Sequence, residues 1–376
     1  MKKYDLIVVG GGIIGTFSAY HALKKGKTVL LLEKDSQPFE ASFRNFGQAV
    51  PSGQSMDKWF DYGRKSLQIY KDLQSETNIS LVPNGSWYLA SDDQELTLLE
   101  EIQKLFDERG YSNKLHSAEE CQRSNPYFKK DYVKGGLFLP EEASLNPRLM
   151  VHRVREFMIQ HMDLHYQNLC AVVGVEKKRG IARVFTTTNQ NFWSEKVIIA
   201  NGRDTQFLLP EHYPATELKI SKLQMLRLAT QKTILKPNIL TGLTIRRYES
   251  FHSCPSHKKL TSTPEQAQLQ NKGIHILFKQ ADDGSIILGD SHEYALDFDP
   301  FDKIEINKMI LDYLKKLIHI DQWEMTQSWN GVYPIMTNGA TDLFLNPEKG
   351  VYILNGIGGH GMTMSFGFAE EMINNL

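Results

Sequence analysis

Three glycines near the N-terminus, Gly10, Gly12 and Gly15, have the G-x-G-x-x-G spacing that binds the pyrophosphate of a dinucleotide. Gly10 permits a tight turn, Gly12 lets the backbone approach the phosphates, and Gly15 lets the following helix lie close to the preceding strand. Glu33 follows at the separation at which an acid accepts hydrogen bonds from an adenosine ribose. The spacing therefore predicts a dinucleotide site at this end of the chain.

The elements that this site requires occur in the expected order. The apolar run Leu6 to Val9 has the length of a buried parallel strand, and a helical apolar pattern begins at Ile13. A second strand over residues 28–32 ends at Glu33. The helix N-terminus offers free N–H groups and a partial positive charge to phosphates, so strand, turn, helix, strand and acid together favour nucleotide binding over simple packing.

Composition excludes several classes of protein. The chain has 376 residues, of which 41% are hydrophobic and 23% charged, which is typical of a globular protein with two domains. A formal net charge of -1 gives no reason to expect binding to nucleic acid or to a membrane surface. No apolar run reaches transmembrane length.

The cysteines predict a reducing compartment. Cys121, Cys170 and Cys254 are odd in number and far apart, which argues against a disulfide framework and a structural zinc site. The N-terminal apolar run contains Asp5, has no cleavage site, and is too short for a signal peptide. We therefore expect a cytoplasmic protein without a metal site.

The order of the predicted elements indicates a discontinuous nucleotide domain with an inserted substrate domain. Strands that run into glycine turns occur at the start, at residues 196–202 and at residues 351–361, and alternating antiparallel-type strands lie between them. The predicted nucleotide domain comprises residues 1–84, 144–215 and 325–376, and the predicted substrate domain comprises residues 85–143 and 216–324. Helices are predicted over residues 56–76, 94–109, 147–160, 302–318 and 362–374. In the insert, strands are predicted over 219–230 and 242–250, with a hairpin formed by 273–280 and 285–289.

With Ala41, Ser42, Ala200–Gly202 and Gly356–Thr363 added to the N-terminal motif, the chain resembles the D-amino-acid oxidase-like FAD-dependent oxidoreductases, which include glycine oxidase and monomeric sarcosine oxidase. The resemblance covers essentially the whole chain. It implies an α/β fold with an α+β insert, that is, a Rossmann-type FAD-binding domain and an antiparallel-sheet substrate domain. The segments 44–47, 222–227, 246–251, 287–293 and 358–365 are more similar to the glycine oxidase-like subgroup that is associated with aminophosphonate catabolism.

The resemblance also implies which residues contact FAD. Gly359 to Thr363 would place a helix N-terminus at the flavin carbonyl edge, where it stabilises the negative charge of the reduced ring. The full set of implied cofactor residues is Gly10, Gly12, Ile13, Ile14, Gly15, Glu33, Lys34, Ser42, Arg44, Asn45, Phe46, Gly47, Gln48, Val175, Ala200, Asn201, Gly202, Gly331, Gly358, Gly359, His360, Gly361, Met362 and Thr363.

A second set of residues is expected to face the substrate. Guanidinium groups suit an oxyanion with several acceptors, such as a phosphonate, because they bind it through paired hydrogen bonds. Arg44 and His360 are the predicted catalytic residues, and no general base is nominated, because hydride transfer from the substrate C–H bond requires none. The predicted substrate-binding residues are Arg44, Gln48, Arg247, Tyr248, His252, His292 and His360.

Three departures from the relatives narrow the expected chemistry. His360 stands where glycine oxidase carries the arginine that clamps the substrate carboxylate, and Ile287 stands near the position of the oxygen-activating lysine of sarcosine oxidase. No cysteine follows Cys254, so the cysteine that links the flavin in sarcosine oxidase has no counterpart. We therefore expect non-covalent FAD and a substrate other than a simple α-amino acid.

The sequence thus predicts FAD-dependent oxidation of a small anionic amine, favouring an aminophosphonate or an N-alkyl aminophosphonate. The electron acceptor is oxygen or another acceptor, and an oligomer is possible. Alternatives are a glycine- or sarcosine-type oxidase, a 2-hydroxy-acid or glycerol-3-phosphate-type FAD dehydrogenase, and a non-catalytic nucleotide-binding module.

Overall fold

The computed structural model of the chain describes residues 2–213 and 217–376, and the predicted domain boundary between residues 215 and 216 lies outside this part. The strands are β1 (Lys3–Val9), β2 (Val29–Leu32), β3 (Gln48–Ala49), β4 (Ser86–Ala90), β5 (Lys114–Ser117), β6 (Gly135–Leu139), β7 (Ala143–Ser144), β8 (His165–Gln167), β9 (Val172–Lys178), β10 (Ile181–Thr186), β11 (Asn191–Ile199), β12 (Leu218–Thr230), β13 (Asn238–Leu240), β14 (Leu277–Gln280), β15 (Ser285–Gly289), β16 (Glu293–Ala295), β17 (Met325–Met336), β18 (Leu343–Glu348) and β19 (Val351–Asn355). The helices are α1 (Ile13–Lys24), α2 (Lys58–Glu76), α3 (Asp93–Glu108), α4 (Ala118–Ser124), α5 (Pro147–His161), α6 (Gly242–Arg247), α7 (Pro264–Asn271), α8 (Ile304–Leu317) and α9 (Gly361–Asn374).

The first sheet contains the three strands that run into glycine turns and were predicted to form the nucleotide domain. β1 lies between β11 and β2, β19 pairs with β11 and β8 pairs with β2, and all these pairs are parallel. The apolar runs of β1 and β2 are buried on both faces, as expected of parallel strands covered by helices. α1, α2 and α9 pack together, and Phe17 stacks on Phe366 with ring centroids 3.5 Å apart. The strands at the start, middle and end of the chain are therefore neighbours in space.

The second sheet is largely antiparallel and forms the inserted layer. β12 pairs with β15, β16 and β17, and β13 connects β14 to β4. Buried residues of α8, such as Ile310 and Leu314, pack on this sheet in one apolar cluster with Leu226 and Leu288. The predicted 273–280 and 285–289 hairpin is confirmed as β14 and β15. The five predicted helices are also confirmed to within a few residues as α2, α3, α5, α8 and α9.

The strand predicted over residues 242–250 is wrong. This segment forms α6 and then a 3₁₀ helix over Glu249–Ser253. The Thr241 carbonyl accepts hydrogen bonds from the amides of Thr244 and Ile245, which closes the first helical turn. A short apolar run fits helical and strand periodicity equally, so tertiary packing decided between them.

The predicted domain limits remain a prediction. They place residues 325–376 in the nucleotide domain, but β17, at residues 325–336, pairs with β12 in the second sheet.

Among the described residues, no helix is both long and apolar enough to cross a membrane.

Candidate active site

The glycine turn between β1 and α1 is tightly enclosed by backbone. Gly10 has φ +104°, and a Cβ there would lie 2.3 Å from the Ala200 carbonyl oxygen. A Cβ on Gly15 would lie 1.9 Å from the Gly10 carbonyl oxygen. Because no other residue fits at either position, the turn brings the N-terminus of α1 and the end of β11 together.

Hydrogen bonds hold the loops that surround this turn. The amide of Gly11 donates to Glu33 Oε2 at 2.7 Å, and the amide of Ile13 donates to Ser42 Oγ at 2.9 Å. Glu33 is buried, and its other oxygen accepts from the Asp35 amide at 3.0 Å. The predicted ribose acid therefore lies directly beside the phosphate turn.

A cavity of about 440 Å³ extends from the start of α1, past the segment 44–48, to the start of α9. The predicted cofactor and substrate residues that line it are Gly12, Ile13, Ile14, Ser42, Arg44, Asn45, Phe46, Gly47, Gln48, Ala200, Gly202, Arg247, Tyr248, His252, His292, Gly331, Gly358, Gly359, His360, Gly361, Met362 and Thr363. Most of the predicted site is thus gathered around one cavity.

The remaining predicted cofactor residues, Gly10, Gly15, Glu33, Lys34, Val175 and Asn201, lie outside the lining of this cavity. The glycine turn at one end of the cavity depends on three of them, Gly10, Gly15 and Glu33, through the contacts described above. Lys34 pairs with Asp35 at 2.8 Å and with Asp204 at 3.3 Å on the surface. Val175 lies on β9, in the antiparallel extension of the first sheet. Contacts of these residues with adenosine remain predictions.

The helix at the far end of the cavity presents its N-terminus to the cavity. α9 begins at Gly361, and among the described residues no side chain caps this end. His360, directly before it, lies 3.7 Å from Glu249, and burial lowers the pKa of His360. The free N–H groups and the helix dipole suit a partial negative charge on a bound ring.

Adjacent arginines on α6 have different environments. Arg246 is buried and pairs with Glu95 and Asp92, each at 2.5 Å, so it is a structural ion pair. Arg247 lines the cavity, where its Nη2 donates to the Tyr294 hydroxyl at 2.8 Å. Arg44 also lines the cavity, but its guanidinium lies 3.4 Å from the Asn330 carbonyl and 4.0 Å from Glu40, two residues that line a neighbouring pocket. Of these two arginines, Arg247 is therefore the one whose guanidinium has a partner in the cavity lining.

The carboxylate of Asp290, which also lines the cavity, received no role from the sequence. Asp290 and His275 both line the cavity, with His275 Nε2 2.9 Å from Asp290 Oδ1. His292 Nδ1 lies 3.7 Å from the same oxygen. One imidazole nitrogen of each histidine and one Asp290 carboxylate oxygen lie within 4.8 Å of one another. The proximity of Asp290 to His292 in sequence was a usable signal, whereas the pairing with His275 depends on the folded hairpin.

The sequence analysis also gave no role to the buried Lys279. Ile287, on β15, lies directly opposite Lys279 on β14. Lys279 Nζ donates to the Gly47 carbonyl at 3.1 Å and to the Leu145 carbonyl. Burial lowers the pKa of Lys279 to about 7. Lys279 thus holds the segment 44–48, which lines the cavity, and lies on the side of this segment away from the cavity.

The fold and the site together define a class of enzyme. The enclosed glycine turn has no room for a side chain, and Glu33 lies at the expected ribose position. At the far end of the cavity, the N-terminus of α9 has no side-chain cap. These features fit a long dinucleotide with a redox-active ring. The chain belongs to the family described as FAD dependent oxidoreductase, whose profile matches residues 5–374. The predicted FAD-dependent oxidoreductase family and its FAD cofactor are thereby confirmed, whereas the aminophosphonate subgroup stays a prediction.

Individual relatives agree with this family. Glycine oxidase of Bacillus subtilis is 24% identical over 209 residues, which cover 54% of each chain. Mouse mitochondrial sarcosine dehydrogenase is 23% identical over 48% of this chain and 20% of its own length. The chain thus spans about half the length, or less, of these curated relatives.

Solved structures show the same fold over the whole chain. Glycine oxidase from Geobacillus kaustophilus has a TM-score of 0.79 at 16% identity and covers 100% of this chain and 95% of its own. L-proline dehydrogenase from P. horikoshii has a TM-score of 0.81 at 18% identity, with coverages of 99% and 93%. At these identities the likeness extends to the fold alone.

Proposed function

We propose that this chain catalyses the FAD-dependent oxidation of a small anionic amine, with an aminophosphonate or N-alkyl aminophosphonate as the favoured substrate. The observation that carries the proposal is the lining of one cavity. The cofactor motifs at 12–14, 44–48 and 358–363 lie along it, and Arg247 enters it from the inserted layer. A guanidinium beside the cofactor would hold an anionic group while the rest of the substrate lies against the flavin.

The nature of the cations favours a phosphonate. Arg247 can present several N–H donors, which matches the three oxygens of a phosphonate better than one point charge would. His360 stands at the position where the resemblance to glycine oxidase places a carboxylate-binding arginine, and burial lowers the pKa of His360. A neutral imidazole there weakens the case for an α-amino acid.

The relatives favour an amine over an alcohol. They include proteins described as glycine oxidase and sarcosine dehydrogenase, whose names specify substrates with a C–N bond. Held by the segments 12–14, 44–48 and 358–363, FAD would supply the acceptor for a hydride from the carbon beside the nitrogen. The resulting imine is then hydrolysed by water.

The protein supplies position and exclusion of water. Tyr333 and Tyr248 line the cavity, and burial raises the pKa of both phenols, so both rings are neutral walls. None of the three cysteines is among the residues that line the cavity in the described chain, which supports FAD held without a thioether. The three buried free thiols also support the proposed cytoplasmic location.

Turnover with an artificial electron-accepting dye tests this proposal without assuming oxygen as acceptor. N-methyl-2-aminoethylphosphonate should yield an aldehyde and the corresponding amine. N-methylglycine should react more slowly, and 2-hydroxyethylphosphonate should not react. Faster oxidation of the hydroxy compound would replace the proposal by the hydroxy-oxidising alternative, and faster oxidation of N-methylglycine would remove the phosphonate preference.

A further inference from the structure

The cluster of His275, Asp290 and His292 forms part of the cavity wall beside Arg247. Reciprocal backbone hydrogen bonds fix its geometry, because the Asp290 amide donates to the His275 carbonyl at 2.8 Å and the His275 amide donates to the Asp290 carbonyl at 3.1 Å. The imidazole of His275 also lies 3.4 Å from the Thr244 hydroxyl through Nδ1, so the ring is held on both sides. The carboxylate therefore has a fixed position on the cavity wall.

Asp290 is an incompletely satisfied buried carboxylate. Only 3% of the residue is exposed, and among the described residues its Oδ1 has no hydrogen bond of good geometry despite the nearby imidazoles. Such a group lacks solvation, so a donor that reached the carboxylate from the cavity would stabilise it. The other carboxylate of the cavity wall, Glu249, is partly exposed and has His360 as its neighbour.

We propose that Asp290, positioned by His275 and His292, binds the ammonium group of the substrate and takes its proton. This inference rests on the proposed function, since it requires an amine substrate. A zwitterionic amine would then have its anionic group at Arg247 and its nitrogen at Asp290.

The proton and electron balance is simple. The carboxylate forms an O–H bond with a proton from the ammonium nitrogen, whose N–H electron pair stays on nitrogen as a lone pair. That lone pair forms the C=N bond as the adjacent C–H bond breaks, and hydrogen leaves with its electron pair to FAD. The substrate is oxidised by two electrons, FAD is reduced by two, and Asp290 returns its proton to water after the product leaves.

The surrounding charges suit this role. Burial lowers the pKa of His275 and lowers that of His292 to about 3, so both imidazoles are neutral at neutral pH. Burial raises the pKa of Asp290, and at neutral pH the positive charge of Arg247 opposes that rise. Among the described residues, the phenols of Tyr248 and Tyr333 also lie near the carboxylate, and burial raises the pKa of both, so they are neutral. A carboxylate with a raised pKa is a stronger proton acceptor than an exposed aspartate.

The first test is the pH dependence of anaerobic flavin bleaching by N-methyl-2-aminoethylphosphonate. In the wild type, the rate should rise with pH as Asp290 ionises and should then level off. Asp290→Asn should be slower by about 10²-fold or more at neutral pH, and its rate should continue to rise with pH as free amine forms in solution. Glu249→Gln, which removes the other cavity carboxylate, should retain the wild-type midpoint.

A binding measurement separates a chemical role from a structural one. Holoenzyme reduced with dithionite cannot oxidise the amine, so its dissociation constants can be measured by calorimetry. Asp290→Asn should weaken N-methyl-2-aminoethylphosphonate by at least about tenfold, in line with the loss of a charged hydrogen bond. It should leave 2-hydroxyethylphosphonate, which carries no ammonium group, within about twofold of the wild type. Equal weakening of both ligands would overturn the proposal.

Two further outcomes contradict the role of Asp290. An Asp290→Asn variant that binds FAD and keeps the wild-type rate and pH profile would overturn it while leaving amine oxidation intact. Failure of every amine to bleach the wild type would overturn both proposals. A stoichiometric divalent metal in wild-type holoenzyme that is lost from Asp290→Asn would show instead that the cluster is a metal site.

Discussion

At the scale of single residues, the neighbours Arg246 and Arg247 show how the fold separates structure from chemistry. Arg246 has 2% of its side chain exposed and is neutralised by two carboxylates, whereas Arg247 lines the cavity with a tyrosine hydroxyl as its partner. The sequence analysis gave Arg247 as a substrate-binding residue, and the strand that it predicted for this segment is wrong. In the observed helix, consecutive side chains point about 100° apart, which also separates the pair.

We predict opposite effects for the two arginine variants. Arg246→Met should lower the free energy of unfolding by about 3–5 kcal/mol, because it leaves buried Glu95 without its cation. Arg247→Met should change stability by less than about 0.5 kcal/mol but raise the dissociation constant of the phosphonate. Urea unfolding and ligand titration measure the two effects. If Arg247→Met instead unfolds the protein and leaves ligand affinity unchanged, its assignment to the substrate site is wrong.

A buried acid near the cavity should make stability depend on pH. Burial raises the pKa of Glu142 from 4.5 to about 7, while its Oε1 accepts hydrogen bonds from the Ser52 amide and the Tyr111 hydroxyl. The folded state therefore binds more protons than the unfolded state between these pKa values. The free energy of unfolding should fall as pH rises through this window, by roughly 3 kcal/mol at most.

Glu142→Gln tests this sign, since glutamine keeps an acceptor without an ionisable proton. The variant should lose that contribution to the slope between pH 5 and pH 8 and should be more stable than the wild type at the upper end. Urea unfolding with excess FAD at both pH values measures the difference. An unchanged slope would show that Glu142 titrates normally.

At the scale of elements, local motifs were predictable where one segment determines its own structure. β1, the glycine turn and α1 follow from residues that are adjacent in sequence, and β14 and β15 follow from a strong turn signal. α6 could not be predicted, because its few residues fit either periodicity and the buried Arg246 ion pair comes from the distant α3. Prediction failed where tertiary contacts override local pattern.

The glycine turn gives a direct test at this scale. Gly15→Ala should strongly reduce the FAD content of the purified protein, because its Cβ would lie 1.9 Å from the Gly10 carbonyl oxygen. Gly26→Ala is the matched control, since a Cβ there meets no atom within 4 Å of the described residues. The control should retain FAD and lose only about 1 kcal/mol of stability through its positive φ. Equal FAD content in both variants would contradict the role of the turn.

At the scale of the whole molecule, the active site is assembled from segments that are far apart in sequence. The family resemblance located most of the lining, including 44–48 and 358–363, because these motifs are continuous in sequence. It could not pair His275 with Asp290, or place Lys279 behind Gly47, because those contacts depend on hairpin register. The residues proposed to contact substrate are thus harder to predict than those expected to contact the cofactor.

The most direct test of amine oxidation is anaerobic bleaching of the flavin absorbance of the purified holoenzyme. N-methyl-2-aminoethylphosphonate should reduce the flavin, and N-methylglycine should do so more slowly. This result would support amine oxidation with an anionic group held at Arg247. Bleaching by neither amine, with bleaching by 2-hydroxyethylphosphonate, would contradict it.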